Sequence, residues 1–335
     1  MSSLASLRLA LAIFFVAGLA CDRLVARSFP HHFIPEQRMS AALASGSGCI
    51  VTAGDSRMVA GVDLEVLERT LRKAGRNECT ANIAIGALPI HGISVALREY
   101  LRRGGKPEVL VLGLSEDMLI PLKDAPDPSR FVGNDAISIA WSDAADVRRL
   151  YPGFPFANVR EFDDGLRFLL ARQSALGSYD SLISYKVQTL QERLLGRAKA
   201  TNNVFGADSD MDALAEQMQS RAQRQLANTL TLPDEIRLDP DFSEIERRVR
   251  EVGARLVVVE LPMPERYRTR VTESDAGRRY LAWFSKRLAD RGERFVDLTH
   301  PTWLEPSVFR DFLHLNSEGA RLFSADLGRA LAAPP

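Results

Sequence analysis

The stretch Cys49-Ile50-Val51-Thr52-Ala53-Gly54-Asp55-Ser56-Arg57 decides the fold. Its first five residues form a short continuous apolar run, the pattern of a strand buried on both faces, and Gly54 then lets the chain turn sharply. Working outward, the same rhythm returns. Helix is expected over Asp63 to Lys73, strand over Asn82 to Ile85, helix over Ile93 to Arg103 and strand over Val109 to Leu112. After a long interruption the alternation resumes with helix Phe242 to Val252, strand Leu256 to Leu261, helix Ser274 to Arg291, strand Phe295 to Leu298 and helix Ser317 to Leu331. Five apolar strands alternating with amphipathic helices predict an α/β fold around a five-stranded parallel sheet.

The interruption, residues 115–241, contains Pro121, Pro126, Pro128, Pro152 and Pro155, then polar amphipathic stretches at Tyr179 to Leu195 and Met211 to Leu226. It reads as a largely helical insertion capping a domain split into residues 48–114 and 242–333. Residues 28–47, with Pro30, Pro35 and the small-residue run Ala41 to Gly48, read as a linker. Ahead of it, Leu9 to Cys21 is an apolar run of thirteen residues behind Arg8. That is shorter than the roughly 20 residues of a spanning helix, although Leu4 to Leu7 could extend it. Residues 1–27 therefore read as either a signal peptide or a signal anchor, with a buried N-terminal helix as the plain alternative. Gly18-Leu19-Ala20 before Cys21 is a poor lipidation signal.

Forty-three basic and forty-three acidic residues cancel, so no net field draws the chain to nucleic acid. No Cys/His ligand spacing, phosphate loop or dinucleotide glycine triplet occurs, so neither a metal nor a cofactor is expected. Setting Cys21 aside, Cys49 lies seven residues before Ser56 and Cys79 seven before Gly86. If the two strands are parallel neighbours ending level, the cysteines enter at equal depth, which allows a Cys49–Cys79 disulfide in an exported domain; two buried free thiols are the alternative.

Ser56 falls just past the first strand, and Gly86 and Gly113 follow the second and third. In an open parallel sheet these carboxyl ends converge on one rim. Asp311-Phe312-Leu313-His314, just before the last helix, adds a base and a carboxylate three residues apart. Serine, aspartate and histidine are the parts of an activated oxygen nucleophile. His300, ending the last strand, is a rival base without an aspartate three residues before it, and His91 is either a helix cap or a substrate contact. Arg57 is either a site for an anionic substrate group or a salt-bridge partner; Arg266, Tyr267 and Arg268 either line a sugar site or belong to a solvated loop. His31 and His32 read as a solvated patch.

Gly54-Asp55-Ser56, Gly86 and Asp311-Phe312-Leu313-His314 resemble blocks I, II and V of the SGNH (GDSL-like) hydrolase superfamily. The resemblance implies a flavodoxin-like three-layer α/β/α sandwich, with Ser56 as nucleophile, His314 as base and Asp311 as its orienting acid. It also implies an oxyanion hole built from the Ser56 N–H, the Gly86 N–H and a third donor. Where the family usually has Gly-x-Asn-Asp, this chain has Gly113-Leu114-Ser115-Glu116-Asp117, so Ser115 stands at the asparagine position. Asn134 is a second candidate for that donor, although a turn residue is its plainer reading.

Together with the N-terminal apolar segment and His314-Leu315-Asn316 followed by Gly319-Ala320, these blocks are similar to membrane-anchored extracytoplasmic SGNH proteins that accompany membrane-bound O-acyltransferases. That likeness implies an acylated carbohydrate or polysaccharide as substrate and a membrane-bound O-acyltransferase as partner. It implies a periplasmic or extracytoplasmic location, anchored in the inner membrane by the N-terminal helix or secreted if that segment is cleaved. An esterase and an O-acyltransferase would use the same residues. The alternative from another class is a non-catalytic SGNH-fold subunit that holds a polysaccharide or an acyltransferase.

Overall fold

The computed structural model describes residues 13, 14, 16–24, 34–86, 90–114, 141, 143, 145, 146, 238–311 and 313–333. The chain divides into two compact units, Met1–Gln37 with Pro126–Thr201 and Arg38–Ala125 with Asn202–Pro335. In the first, residues 16–24 are helical and carry exposed Val16, Leu19 and Leu24. The insertion expected over 115–241, with Ser115 and Asn134, lies outside the described residues up to 237 apart from four positions. His31 and His32 lie outside them as well.

The second unit holds the sheet. Its elements are helix α1 (Ile34–Ala44, entering from the first unit's last residues), strand β1 (Cys49–Ala53), helices α2 (Ser56–Gly61) and α3 (Leu64–Lys73), strand β2 (Thr80–Asn82), helix α4 (Ile90–Arg102) and strand β3 (Pro107–Leu114). Then come helix α5 (Pro240–Glu251), strand β4 (Arg255–Glu260), helices α6 (Glu265–Arg270) and α7 (Asp275–Ala289), strand β5 (Arg294–Asp297), a 3₁₀ turn (Pro306–Val308) and helix α8 (Ser317–Ala332). All five strands run parallel in the order β2-β1-β3-β4-β5. That is the flavodoxin-like order, whose switch point lies between β1 and β3.

Side chains alternate across each strand, so one sheet supplies two cores. On one face Ile50, Val109, Val111, Val257, Val259 and Val296 pack with Leu67, Leu71, Phe323 and Leu327 of α3 and α8. Small residues let those helices close up, since a Cβ on Gly328 would come within 2.8 Å of Thr70. On the other face α5 and α7 stack Phe242 edge-on to Phe284, at 5.5 Å between ring centroids, and Phe284 meets Phe295 of β5 at 5.8 Å. Helices cover both faces, as near-continuous apolar strands require.

Three elements differ locally from the sequence expectation, and side-chain contacts account for the first two. The segment read as a linker contains α1, which buries Met39 and Ala42 and sends Arg38 Nη1 to the Ala84 carbonyl at 2.9 Å. The second strand was expected over Asn82 to Ile85, but regular pairing ends at Asn82, whose Oδ1 accepts the Ala84 N–H at 2.8 Å and bends the chain. Hydrogen bonds from Ile83 to Thr52 and from Ile85 to Gly54 still carry this segment along β1. Finally, α4 begins three residues earlier than expected, at Ile90.

At the other end of the sheet from the Ser56 loop, Ile50 pairs with Thr80, which sets Cys49 level with Cys79, and the two are joined by a disulfide. Closing a loop of sequence separation 30 restricts the unfolded chain by roughly 3–4 kcal/mol in the chain-entropy account.

Beneath α5 and α7, the buried Glu246 carboxylate takes Arg287 at 2.5 Å and Arg291 at 3.1 Å, and Glu293 lies beside it with Arg250 at 3.3 Å. Burial, then the neighbouring Glu246 carboxylate, pushes Glu293 from 4.5 up to about 7 against the pull of Arg250 and Arg287. A carboxyl raised on folding favours its protonated form in the native state. Its stabilising contribution is therefore complete below pH 4.5 and is lost as pH rises through about 7. Glu293→Gln is expected to flatten the decline in unfolding free energy between pH 5 and about 7.5, measured by urea denaturation at several pH values.

Candidate active site

The loop after β1 is built on Gly54, whose φ of +152° suits glycine. There is also no room for a side chain: a Cβ at Gly54 would lie 2.5 Å from Met58 Cγ and 2.8 Å from the Gly113 carbonyl. Asp55 then caps α2, its Oδ1 accepting the Arg57 N–H at 2.9 Å, so Ser56 becomes the first helical residue. The turn puts Ser56 at the carboxyl end of β1, at the switch point of the sheet.

The second loop comes from the other end of the chain. Phe309 and Leu315 form an antiparallel bridge, and the Arg310 N–H donates to the His314 carbonyl at 2.8 Å, which closes a tight loop. Within it Asp311 Oδ1 accepts the N–H groups of Leu313 at 2.9 Å and His314 at 2.8 Å. The same carboxylate lies 2.9 Å from His314 Nδ1 through either oxygen. Behind the loop, Asn316 caps α8 by accepting the N–H groups of Glu318 and Gly319. The cap and the bridge fix the imidazole.

His314 Nε2 lies 2.8 Å from Ser56 Oγ, joining residues 258 positions apart. With Asp311 holding a proton on Nδ1, the Nε2 lone pair is left to accept the serine hydroxyl. His314 is buried, at 4% exposed, while Ser56 is half-buried, so the serine side of the contact faces outward. Burial raises the Asp311 pKa, but the backbone N–H groups of His314 and Leu313 and the His314 ring outweigh it and hold the carboxyl below its usual value. Asp311 thus stays ionised beside the ring.

Gly86 sits against the serine, since a Cβ built on it would be 3.8 Å from Ser56 Cβ. Among the described residues, no group takes up the N–H of Ser56 or that of Gly86. Those two N–H groups, on residues packed beside a hydroxyl that lies on a histidine, can receive a developing oxyanion. Ser115 lies outside the described residues.

The remaining candidates fall elsewhere. Arg57 does not face a substrate group: it is 7% exposed, and its guanidinium is drawn back onto Asp55 at 3.0–3.3 Å. Tyr267 is also buried, because α6 turns it inward, while the side chain of Arg266 is not among those described. Arg268 instead lines a cavity of about 220 Å³ beside Asp311, together with Pro264, Glu265, Glu305 and Phe309. His300 does not serve Ser56; its Nε2 contacts Glu273 at 2.5 Å and its Nδ1 meets Thr299 Oγ1 at 2.7 Å. His91 is buried in α4, with Nδ1 3.2 Å from Asp241. Among the described residues, no group of three or more His, Cys, Asp or Glu side chains is placed to hold a metal ion.

Sequence reasoning missed two supports. Arg38 holds the Ala84 carbonyl, and Asn82 bonds both Ala84 N and the Met58 carbonyl, so the segment leading from β2 to Gly86 is tied to the helix carrying Ser56. Only the Asn at a strand end was a usable signal.

No family model and no curated protein matches the chain. Among solved structures it is similar to the lipase/acylhydrolase from Enterococcus faecalis, at 10% identity over 85% of this chain and 95% of that one, with a TM-score of 0.38. It is also similar to a protein from Desulfitobacterium hafniense assigned to the lipolytic G-D-S-L family, at 8% identity over 84% and 99% of the two chains and a TM-score of 0.36. Likeness at that level carries no argument. Strand order and the Ser56–His314–Asp311 hydrogen bonds are observations on this chain itself and stand without it.

Gly54→Ala is expected to destabilise the protein by roughly 1–3 kcal/mol, because it adds both backbone strain and overlap with a carbonyl. Urea denaturation of the variant beside the parent checks this.

Proposed function

We propose that the protein is an SGNH-type serine ester hydrolase acting on an acylated carbohydrate outside the cytoplasm. The observation that carries the reading is the hydrogen-bond relay from Ser56 Oγ through His314 to Asp311, beside the Ser56 and Gly86 N–H groups, which no described residue takes up. In the first step His314 Nε2 takes the Ser56 proton as Oγ bonds to the ester carbonyl carbon. The carbonyl oxygen becomes an anion held by the Ser56 and Gly86 N–H groups, and Asp311 stabilises the imidazolium. Collapse breaks the bond to the leaving alcohol, which receives the proton from His314, and an acyl-serine remains. Water then gives a proton to His314 as its oxygen bonds to the acyl carbon, and collapse breaks the bond to Ser56 Oγ, which takes that proton back from His314 as the acid leaves.

A carbohydrate hydroxyl in place of that water would make the same residues an O-acyltransferase. Placement beyond the cytoplasm draws support from the apolar run Leu9 to Cys21, the exposed Ile13, Phe14, Val16 and Leu19, and the disulfide. Among the described residues, no helix is long and apolar enough to cross a membrane. We extend the proposal to anchoring through residues 1–27 and to association with a membrane-bound O-acyltransferase, on the strength of the sequence likeness alone.

Hydrolysis of 4-nitrophenyl acetate by the purified protein is expected to fall at least about a thousandfold in Ser56→Ala and in His314→Ala, with unfolding midpoints unchanged within a few degrees. Offering an acetylated oligosaccharide with and without an unacetylated acceptor then separates acetate release from transfer. No activity in the parent protein, or activity that survives Ser56→Ala, contradicts the reading.

A further inference from the structure

Ser56 stands between two residues whose side chains clasp each other. Asp55 and Arg57 are both largely buried, with side-chain exposures of 14% and 7%, and their contact is forked: Arg57 Nε and Nη2 reach Asp55 Oδ2 at 3.1 and 3.0 Å, and Nε also reaches Oδ1 at 3.3 Å. Oδ1 in addition receives the Arg57 N–H at 2.9 Å. The carboxylate is thus fixed at the N–H that immediately follows the N–H of Ser56, which no described residue takes up.

A carboxylate is well suited to cap a helix but poorly placed there for acyl transfer. The ground-state ester oxygen is neutral, while the oxygen of the tetrahedral intermediate carries a full negative charge. Asp55 is only 14% exposed, so water screens it poorly, and a bare anion one residue away from the receiving N–H would oppose that charge in the transition state and leave substrate binding nearly untouched. The planar guanidinium cancels it, and its fork holds both carboxylate oxygens in one orientation.

We propose that Arg57 is a positioning residue that neutralises the Asp55 carboxylate beside the nucleophile, so that the oxyanion forms next to a paired charge rather than a bare one. The inference rests on the esterase reading and gives a role to the residue after the serine. It separates charge from packing because Asp55 can lose its charge and keep its cap: an asparagine Oδ1 accepts the same N–H.

The test compares kcat and KM for 4-nitrophenyl acetate in the parent protein, Arg57→Leu, Arg57→Lys, Arg57→Gln and the Asp55→Asn/Arg57→Leu double variant, with an unfolding midpoint for each. Arg57→Leu is expected to lower kcat at least about tenfold with KM within about twofold. Arg57→Lys should keep more kcat than Arg57→Gln, and the double variant should recover most of what Arg57→Leu loses. Unchanged kcat in Arg57→Leu, a loss that Asp55→Asn does not relieve, or a change confined to KM overturns the proposal while the esterase reading stands. If Arg57→Leu does not fold, the lysine and glutamine variants decide it, and equal kcat in those two overturns it. An inactive parent protein overturns the esterase reading and this inference together.

Discussion

The parallel pairing of β3 with β4 is the constraint on which the rest depends. It matches Val109 with Arg255 through Leu114 with Glu260, and it joins the part of the sheet before the insertion to the part after it. Every other contact within the sheet is local to one part: β1 with β2 and β3, and β4 with β5. Ser56 belongs to the first part and His314 to the second. A hydrogen bond of 2.8 Å between them exists because the two halves share one register.

That register also explains the small residues on the site's side of the sheet. Met58, fully buried below Ser56, fills the space above Gly54 and Gly113, and a side chain at either position would displace it. Ser56 is therefore held from beneath by packing, from one side by Asp55 and Arg57, and across the rim by a histidine loop closed by its own backbone bridge. Support at each of these points keeps three polar groups aligned, which is what the proposed acyl transfer requires of them.

Much of this was legible in the chain because it rests on local rules. The five strands read as apolar runs, and the Ser56 and His314 loops read as short motifs placed at strand and helix ends. What escaped depends on side-chain direction, which pattern does not encode. For Arg57 the chain left a substrate contact and a salt bridge open, and the structure shows the salt bridge to Asp55; for Tyr267 it left a sugar contact and a solvated loop open, and the turn of its helix buries it instead. The α1 helix escaped because, among its described side chains, only Met39 and Ala42 are buried, too few to set a period, and with it went Arg38, whose bond to Ala84 steadies the Gly86 loop. The second strand slipped by two to three residues because Asn82 bends the chain where the apolar run continues.

The central claim is that Ser56 is a nucleophile activated by His314. It is tested most directly by reacting the folded protein with a fluorophosphonate, which phosphonylates an activated serine hydroxyl and expels fluoride, and by locating the adduct through peptide mass mapping. The account predicts one adduct, on Ser56, that forms at a greatly reduced rate in His314→Ala. No adduct, or an adduct on a residue other than Ser56, would contradict it.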